Sequence, residues 1–354
     1  MIAALAATAF VAPWRTGAAQ QATTCAGEPY LARTVHEDAA ATPAANLQPS
    51  IASPADAPAA SPAATPTPLT IAWLAGASDP AAAAAARAAA AVADARLAEP
   101  EAVDPARALR AALRQGAQAV IADDQTAAAI ASDLAQAAAD GVSVVTLGAD
   151  DADDGHILDV ESPDGPAVAT AAAQWLSDAL GCTGEVVIVS GAADDAALAD
   201  EATAAANEFA AYGVRVVDVV YGEDDPKLSF TRAAQTMIAY PDLGGILALT
   251  PRGIAGAADA VAKLERAAKM TVVGVAAPGE DVGHVVPIVT WRPADAAYLA
   301  VQAAAALVNG AISGAPGEQI DAGSLGDVVI GDAGVVAAPP IVVVPASGLG
   351  TPTP

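Results

Sequence analysis

From Leu69 to Pro345 the chain alternates short apolar runs with longer segments whose apolar residues recur at helical spacing. Apolar runs of roughly four to eight residues bounded by Gly, Pro and Asp fit strands buried on both faces, and such strands need helices above and below them. The run Gly245–Leu249 breaks at Thr250-Pro251-Arg252-Gly253. A helix-period segment then leads to Lys269, and a second run, Thr271–Ala276, ends at Pro278-Gly279. This alternation predicts an α/β fold built on parallel sheets covered by helices on both sides.

The same pattern reads along the whole stretch. Expected strands are Leu69–Ala75, Ala117–Ala122, Val142–Leu147, Glu185–Val189 and Val214–Val220. Expected helices are Pro80–Val92, Pro105–Gln115, Thr126–Asp140, Gly165–Leu180, Asp195–Tyr212 and Lys227–Tyr240. Asp104-Pro105 combines an acidic cap with proline at the first helical position, and Gly116 and Gly141 stand where helices stop. Between Gly76 and Asp104 there is little room for a helix and a strand, so Ala93–Ala98 is the least defined strand.

Charge narrows the partners. Fifteen Lys+Arg against 41 Asp+Glu give a net charge of −26. Nucleic acid and anionic lipid surfaces are polyanions and repel such a chain. The hydrophobic fraction of 54% is inflated by alanine, and the longest uncharged apolar run, Gly334–Gly350, is broken by Pro339, Pro340 and Pro345. A spanning helix of ~20 residues is therefore not expected. Two cysteines, Cys25 and Cys182, cannot build a zinc site alone; they either pair in an oxidising compartment or stay as free thiols.

The N-terminus reads as an export segment. Ile2–Trp14 has the length of a signal-peptide apolar core and Gly17-Ala18-Ala19 supplies small residues for cleavage, but a positive leader is missing, leaving open a start upstream of Met1. An ordinary N-terminal helix is the alternative, and Cys25 is a weaker candidate for lipid attachment. Residues 39–68 are Ala, Pro, Ser and Thr with few bulky apolar side chains, a composition expected of a flexible tether. The expected division is 1–19 signal segment, 20–68 tether and 346–354 tail, with the folded body between.

Thr250 with Gly253-Ile254, Val273-Gly274 with Pro278, and Trp291 with Pro293 and Tyr298 form an ordered set of motifs. The turn from Asn309-Gly310 to Gly317-Glu318 and Ala322-Gly323-Ser324-Leu325-Gly326 complete it. In these pieces the chain resembles type I periplasmic solute-binding proteins, the rhamnose and autoinducer-2 branch in particular. The resemblance implies two lobes, each a parallel sheet flanked by helices, at 69–160 plus 291–325 and 161–290 plus 326–345. It implies crossings between lobes near Val160–Pro166, Pro287–Pro293 and Gly326. It also implies an exported, extracytoplasmic protein that closes on a small polar solute of the sugar class and serves the permease subunits of an ABC importer. No cofactor or metal is implied.

The branch's ligand side chains are not retained. A lysine that closes the family's first strand is Gly76 here, and an aspartate after the fourth strand is Gly148. An Asp-Gln pair falls at Ala197-Leu198, and a proline and an alanine fall at Leu249 and Pro251. The alternative is thus a degenerate relative acting as a sensor or interaction module without a high-affinity sugar site.

Ligands in open α/β sheets sit beyond the carboxyl ends of strands. Asp79, Asp123, Asp124, Asp150, Asp194 and Glu280 all fall there, and carboxylates accept hydrogen bonds from vicinal hydroxyls. Solvated acidic loops are the competing reading in so acidic a chain. Thr250, Pro251 and Arg252 follow an expected strand, with a surface ion pair the alternative for Arg252, and Trp291 is either a ligand contact or a packed hinge aromatic. Asp150–Glu161 matches part of a calcium-binding loop, but Ala152 cannot ligate and a strand precedes it, so an acidic interlobe loop is expected. No nucleophile elbow, zinc-protease motif or phosphate loop occurs, and an enzyme would have to rest on cleft carboxylates alone.

Overall fold

A computed structural model describes residues 31–36, 68–75, 80–100, 104–148, 157–283 and 286–345. Its first strand was not expected: Arg33–His36 (β1) lies inside the stretch read as tether and is built into a sheet. The expected export segment and lipid-attachment cysteine lie outside the described residues, as does most of the Pro-rich stretch.

The first lobe opens with β2 (Leu69–Trp73), α1 (Pro80–Val92) and β3 (Ala95–Ala98). It continues through α2 (Pro105–Arg114), β4 (Ala119–Asp123), α3 (Asp124–Ala129), α4 (Ala131–Ala139), β5 (Ser143–Leu147) and β6 (Leu158–Glu161). The single helix expected from Thr126 to Asp140 is two, because the backbone leaves helical geometry at Ile130 (φ −129°), whose side chain is buried. The second lobe runs α5 (Gly165–Ala179), β7 (Glu185–Ser190), α6 (Ala196–Ala211), β8 (Arg215–Tyr221) and α7 (Pro226–Ala239). There follow β9 (Leu243–Ala248), α8 (Pro251–Lys263), β10 (Thr271–Val275) and β11 (Ile288–Thr290). The chain then returns to the first lobe as α9 (Pro293–Val308), a hairpin of β12 (Gln319–Asp321) and β13 (Asp327–Val329), and β14 (Val335–Ala337). It ends in the second lobe as β15 (Ile341–Val344).

The first sheet has the order β14-β6-β5-β4-β2-β3 with every pairing parallel. The second has the order β1-β15-β11-β10-β9-β7-β8 and is parallel except between β11 and β15. Side chains alternate across each strand, so both faces bury apolar surface. In the first lobe Ile71, Ile121 and Val145 face α1 and α9, while Ala72, Val120 and Val144 face α2, α3 and α4. In the second, Val186, Ile188 and Val273 meet α5 and α6, while Val187, Ile246 and Val272 meet α7 and α8. Each fully buried Ile or Val contributes about 1.5–3 kcal/mol.

Helix starts repeat one device. Asp104, Asp164, Asp195 and Asp225 each accept a backbone N–H of the helix they precede, at 2.7–3.3 Å. The cap satisfies an amide left without an intrahelical partner.

The described chain passes between sheets at 162–164, at 291–292 and at 338–340. The third crossing was expected near Gly326. That residue instead turns the β12–β13 hairpin at φ +85°, where glycine is favoured, and β14 pairs with β6 before the chain leaves the lobe. Among the described residues no helix is long and apolar enough to cross a membrane.

Candidate functional site

A cavity of about 240 Å³ opens at the carboxyl ends of the first lobe's strands. Its walls are Trp73 at the end of β2, Asp123 at the end of β4, Leu147 and Gly148 at the end of β5, and Val160 and Ser162 where β6 runs into the first crossing. The first turn of α9, through Pro293, Ala296 and Ala297, closes the side next to the second crossing. Among the described residues that line it, Asp123 and Ser162 carry polar side chains and most of the others are apolar.

Asp123 is held in place by local geometry. One carboxylate oxygen accepts the Thr126 N–H at 2.8 Å, capping α3 and fixing the side chain at the cavity. Beneath the site, Thr146 donates from Oγ1 to the buried Asp159 Oδ1 at 2.7 Å, locking β5 to β6. Trp73 is 7% exposed and shares a core with Ile71 and Ala297, so its indole is a rigid wall of the cavity.

The candidates from sequence separate sharply. Asp123 lies on the cavity; Asp79 and Asp150 are outside the described residues. Asp124 starts α3 and Asp194 sits in the β7–α6 loop, both exposed to solvent. Thr250 caps α8 by accepting the Gly253 N–H at 3.0 Å, and Pro251 is the first residue of that helix. Arg252 is exposed and pairs with Asp224, 3.5 Å from its carboxylate and 3.2 Å from its carbonyl oxygen. Glu280 accepts the Ala277 N–H at 2.7 Å across the Pro278-Gly279 turn. Trp291, at the second crossing, packs on the second lobe's core beside α5. Of these residues only Asp123 lies on the described cavity, and Trp73, Ser162 and the α9 turn went unnoticed. The available signal for Trp73 was its place as the last residue of a buried strand, where a side chain faces the ligand edge.

The second lobe carries an acidic group of its own. Glu201, on α6, lies against the first turn of α5, where a Cβ on Gly165 would fall 2.2 Å from Glu201 Oε1. Burial, and then the neighbouring Asp195 and Asp164, push its carboxyl above the ordinary range. Among the described residues no group of His, Cys, Asp or Glu has the arrangement of a metal site.

A second feature joins the lobes beside this cavity. Arg33 of β1 donates from Nη2 to Asp295 Oδ2 at 2.6 Å, and Arg292 reaches the same carboxylate at 2.9 and 3.1 Å. Asp295 belongs to the first turn of α9 and is 6% exposed. Burial lowers the Arg33 guanidinium from its usual value, and Asp295 opposes that shift.

Two lobes of this topology with a cavity at the strand ends have clear relatives. Residues 63–312 match the model of the periplasmic binding protein domain. A crystal structure of a sugar ABC transporter protein from Actinomyces odontolyticus is 28% identical, with a TM-score of 0.53 over 77% of this chain and 94% of that one. An ABC transporter solute-binding protein from Clostridium phytofermentas with bound L-rhamnose is 20% identical, with a TM-score of 0.39 over 79% of this chain and 97% of that one. An arabinose-binding protein from Geobacillus stearothermophilus is 15% identical, with a TM-score of 0.46 over 78% and 97% of the two chains. Among curated proteins nothing matches. A family match across most of the folded body, together with this doubled parallel architecture, makes the chain a member of the periplasmic binding protein family.

Proposed function

We propose that this chain is the extracytoplasmic solute-binding component of a sugar-type ABC importer, closing its two lobes on a small, polar, carbohydrate-like ligand. The observation that carries the proposal is the cavity itself, bounded by the ends of four parallel strands and by two interlobe crossings. Trp73 offers apolar surface to the C–H side of a sugar, and Asp123 offers an acceptor to its hydroxyls. Closure brings a second wall over the ligand and removes it from water. The family is one of extracytoplasmic binding proteins, and the similarity to a sugar ABC transporter protein supports the ligand class and permease partners. A disulfide at Cys182 suits an oxidising compartment. The role requires no cofactor.

One observation favours a second reading. Among the described lining residues Asp123 and Ser162 are the polar ones, a sparse set of hydrogen-bonding groups of the kind expected of a sensor or interaction module that has lost a high-affinity sugar site. A thermal-shift screen of the full chain against pentoses, hexoses, deoxysugars, polyols and autoinducer-2 separates the two. A ligand that binds the native state raises the melting temperature by mass action, by an amount set by its concentration over Kd. A clear rise with one sugar class supports the solute receptor. No rise across the panel, with a cooperative melt, overturns it in favour of the sensor.

A further inference from the structure

The strand β1 lies upstream of the region matched to the family, residues 63–312, and is nevertheless fixed at several points. It pairs in parallel with β15, Arg33 opposite Ile341 through His36 opposite Val344. The Arg33 N–H reaches the Pro340 carbonyl oxygen, on the third crossing, at 3.2 Å. Ala32 is buried in the second lobe's core with Val289 and Val342. The Leu31 N–H donates to Gln174 Oε1 at 2.6 Å, and Gln174 Nε2 donates to the Tyr212 hydroxyl at 3.0 Å, so a buried polar pair inside the second lobe receives the segment. Backbone, core and buried polar contacts therefore all make β1 part of the second lobe.

Its arginine belongs to both lobes. From the second lobe's sheet, Arg33 reaches Asp295 on α9 and, at 3.4 Å, the Ser324 carbonyl oxygen, both in the first lobe. Asp295 stands between Pro293 and Ala296, which line the cavity. The acid is nearly fully buried, so its position depends on the two guanidinium groups that satisfy it. Arg292 grips it from the crossing at the helix's own start, and among the described residues Arg33 is the one whose side chain pairs with it from the other lobe.

We infer that β1 is an interlobe clasp: Arg33 ties the second lobe to the first turn of α9, setting the hinge and holding the cavity wall. The effect on ligand affinity rests on the solute-receptor reading; the effect on lobe geometry does not.

The test uses the full chain with its disulfide intact and spin labels at Ala135→Cys and Ala262→Cys, exposed positions on α4 and α8, one per lobe. In the absence of ligand, Arg33→Ala shifts or broadens the interlobe distances, Asp295→Asn does the same, and the double variant adds nothing further. Arg33→Lys, which keeps the charge, restores part of the wild-type distribution. Unchanged distances in Arg33→Ala, with a cooperative melt, overturn the clasp, as does an effect that Asp295→Asn does not share. If Asp295→Asn fails to fold, the Arg33→Ala and Arg33→Lys pair decides. Titration with L-arabinose, D-xylose, D-glucose and L-rhamnose supplies the second readout. Any of them bound by the wild type binds Arg33→Ala about three- to thirtyfold more weakly, the span usual for coupling between sites. If the wild type binds none, the receptor reading fails while the distances still decide the clasp.

Discussion

Asp123 does two tasks that a substitution can separate. Its carboxylate caps α3 through the Thr126 amide and stands on the cavity wall. Asn keeps the cap but loses the charge, so Asp123→Asn is expected to melt close to the wild type. It should bind a sugar about ten- to hundredfold more weakly, the worth of a charged hydrogen bond. Isothermal titration beside calorimetry checks both halves. Titration also acts in opposite directions at two glutamates. Glu201 is held above its ordinary value of 4.5, chiefly by burial, so the folded state binds its proton more tightly. Its stabilising contribution is complete below that ordinary value and is lost as pH rises through the raised one. Glu318 accepts the Ser313, Gly314 and Ala315 amides at 2.7–3.1 Å, which holds it below 4.5. Its contribution is present above 4.5 and is lost as pH falls through the depressed value. Glu201→Gln is therefore expected to raise the melting temperature at neutral pH, with the gain disappearing toward the ordinary carboxylate value. Glu318→Gln is expected to lower it at neutral pH, with the loss shrinking in acid. Melting curves across that range check the two signs. At this scale the sequence was half legible. An acid at a strand end announces itself, as Asp123 did, but an acid that caps a turn or helix, as Glu280 does, looks the same. Trp73 went unread because a tryptophan ending an apolar run looks like core, and by burial it is.

The elements were plainer, because a buried parallel strand between capped helices leaves a strong mark in an alanine-rich chain. Even the cramped strand after α1 forms, as Ala95–Ala98. Two features had no such mark. Gly326 resembles any glycine between short segments, and nothing local distinguishes a hairpin turn from a crossing. The four residues of β1 alternate too briefly to signal a strand, and the partner that makes them one is at the far end of the sequence. A chain begun at Leu69 would look complete by composition alone. It is expected to lose the Leu31–Gln174 bond, the Ala32 contact and one of the two guanidinium groups on Asp295. Leaving a buried acceptor without its donor costs about 1–3 kcal/mol, so the melting temperature should fall by several degrees relative to a chain begun at Leu31, which lacks Cys25 and so the disulfide at Cys182 just as the shorter chain does. Differential scanning calorimetry of the two chains checks this.

Over the whole molecule the dominant long-range term is charge. A net −26 across the chain works against compaction, and salt screens it. Raising ionic strength from about 10 to 150 mM, where the Debye length falls from some 30 to 8 Å, is expected to raise the melting temperature. A flat response would mean that local pairs such as Arg215–Glu185 and Arg87–Glu99 outweigh the overall repulsion. The two-lobed plan was legible at this scale, since alternation fixes the layers and the family motifs order them. That the second lobe also receives the beginning of the described chain was not, because that depends on a pairing between its first and last strands. That pairing also bears on how the protein comes into being. The second lobe's sheet takes its outer strand from the beginning of the described chain and the neighbour of that strand from its end, with the whole first lobe threaded between them. Contacts so distant in sequence form late, since a long loop must close before they are rewarded. As the chain emerges, β1 therefore waits without its partner until β15 arrives, and because β15 follows directly on α9 and β14, neither lobe has all of its described elements until the last of these strands is made.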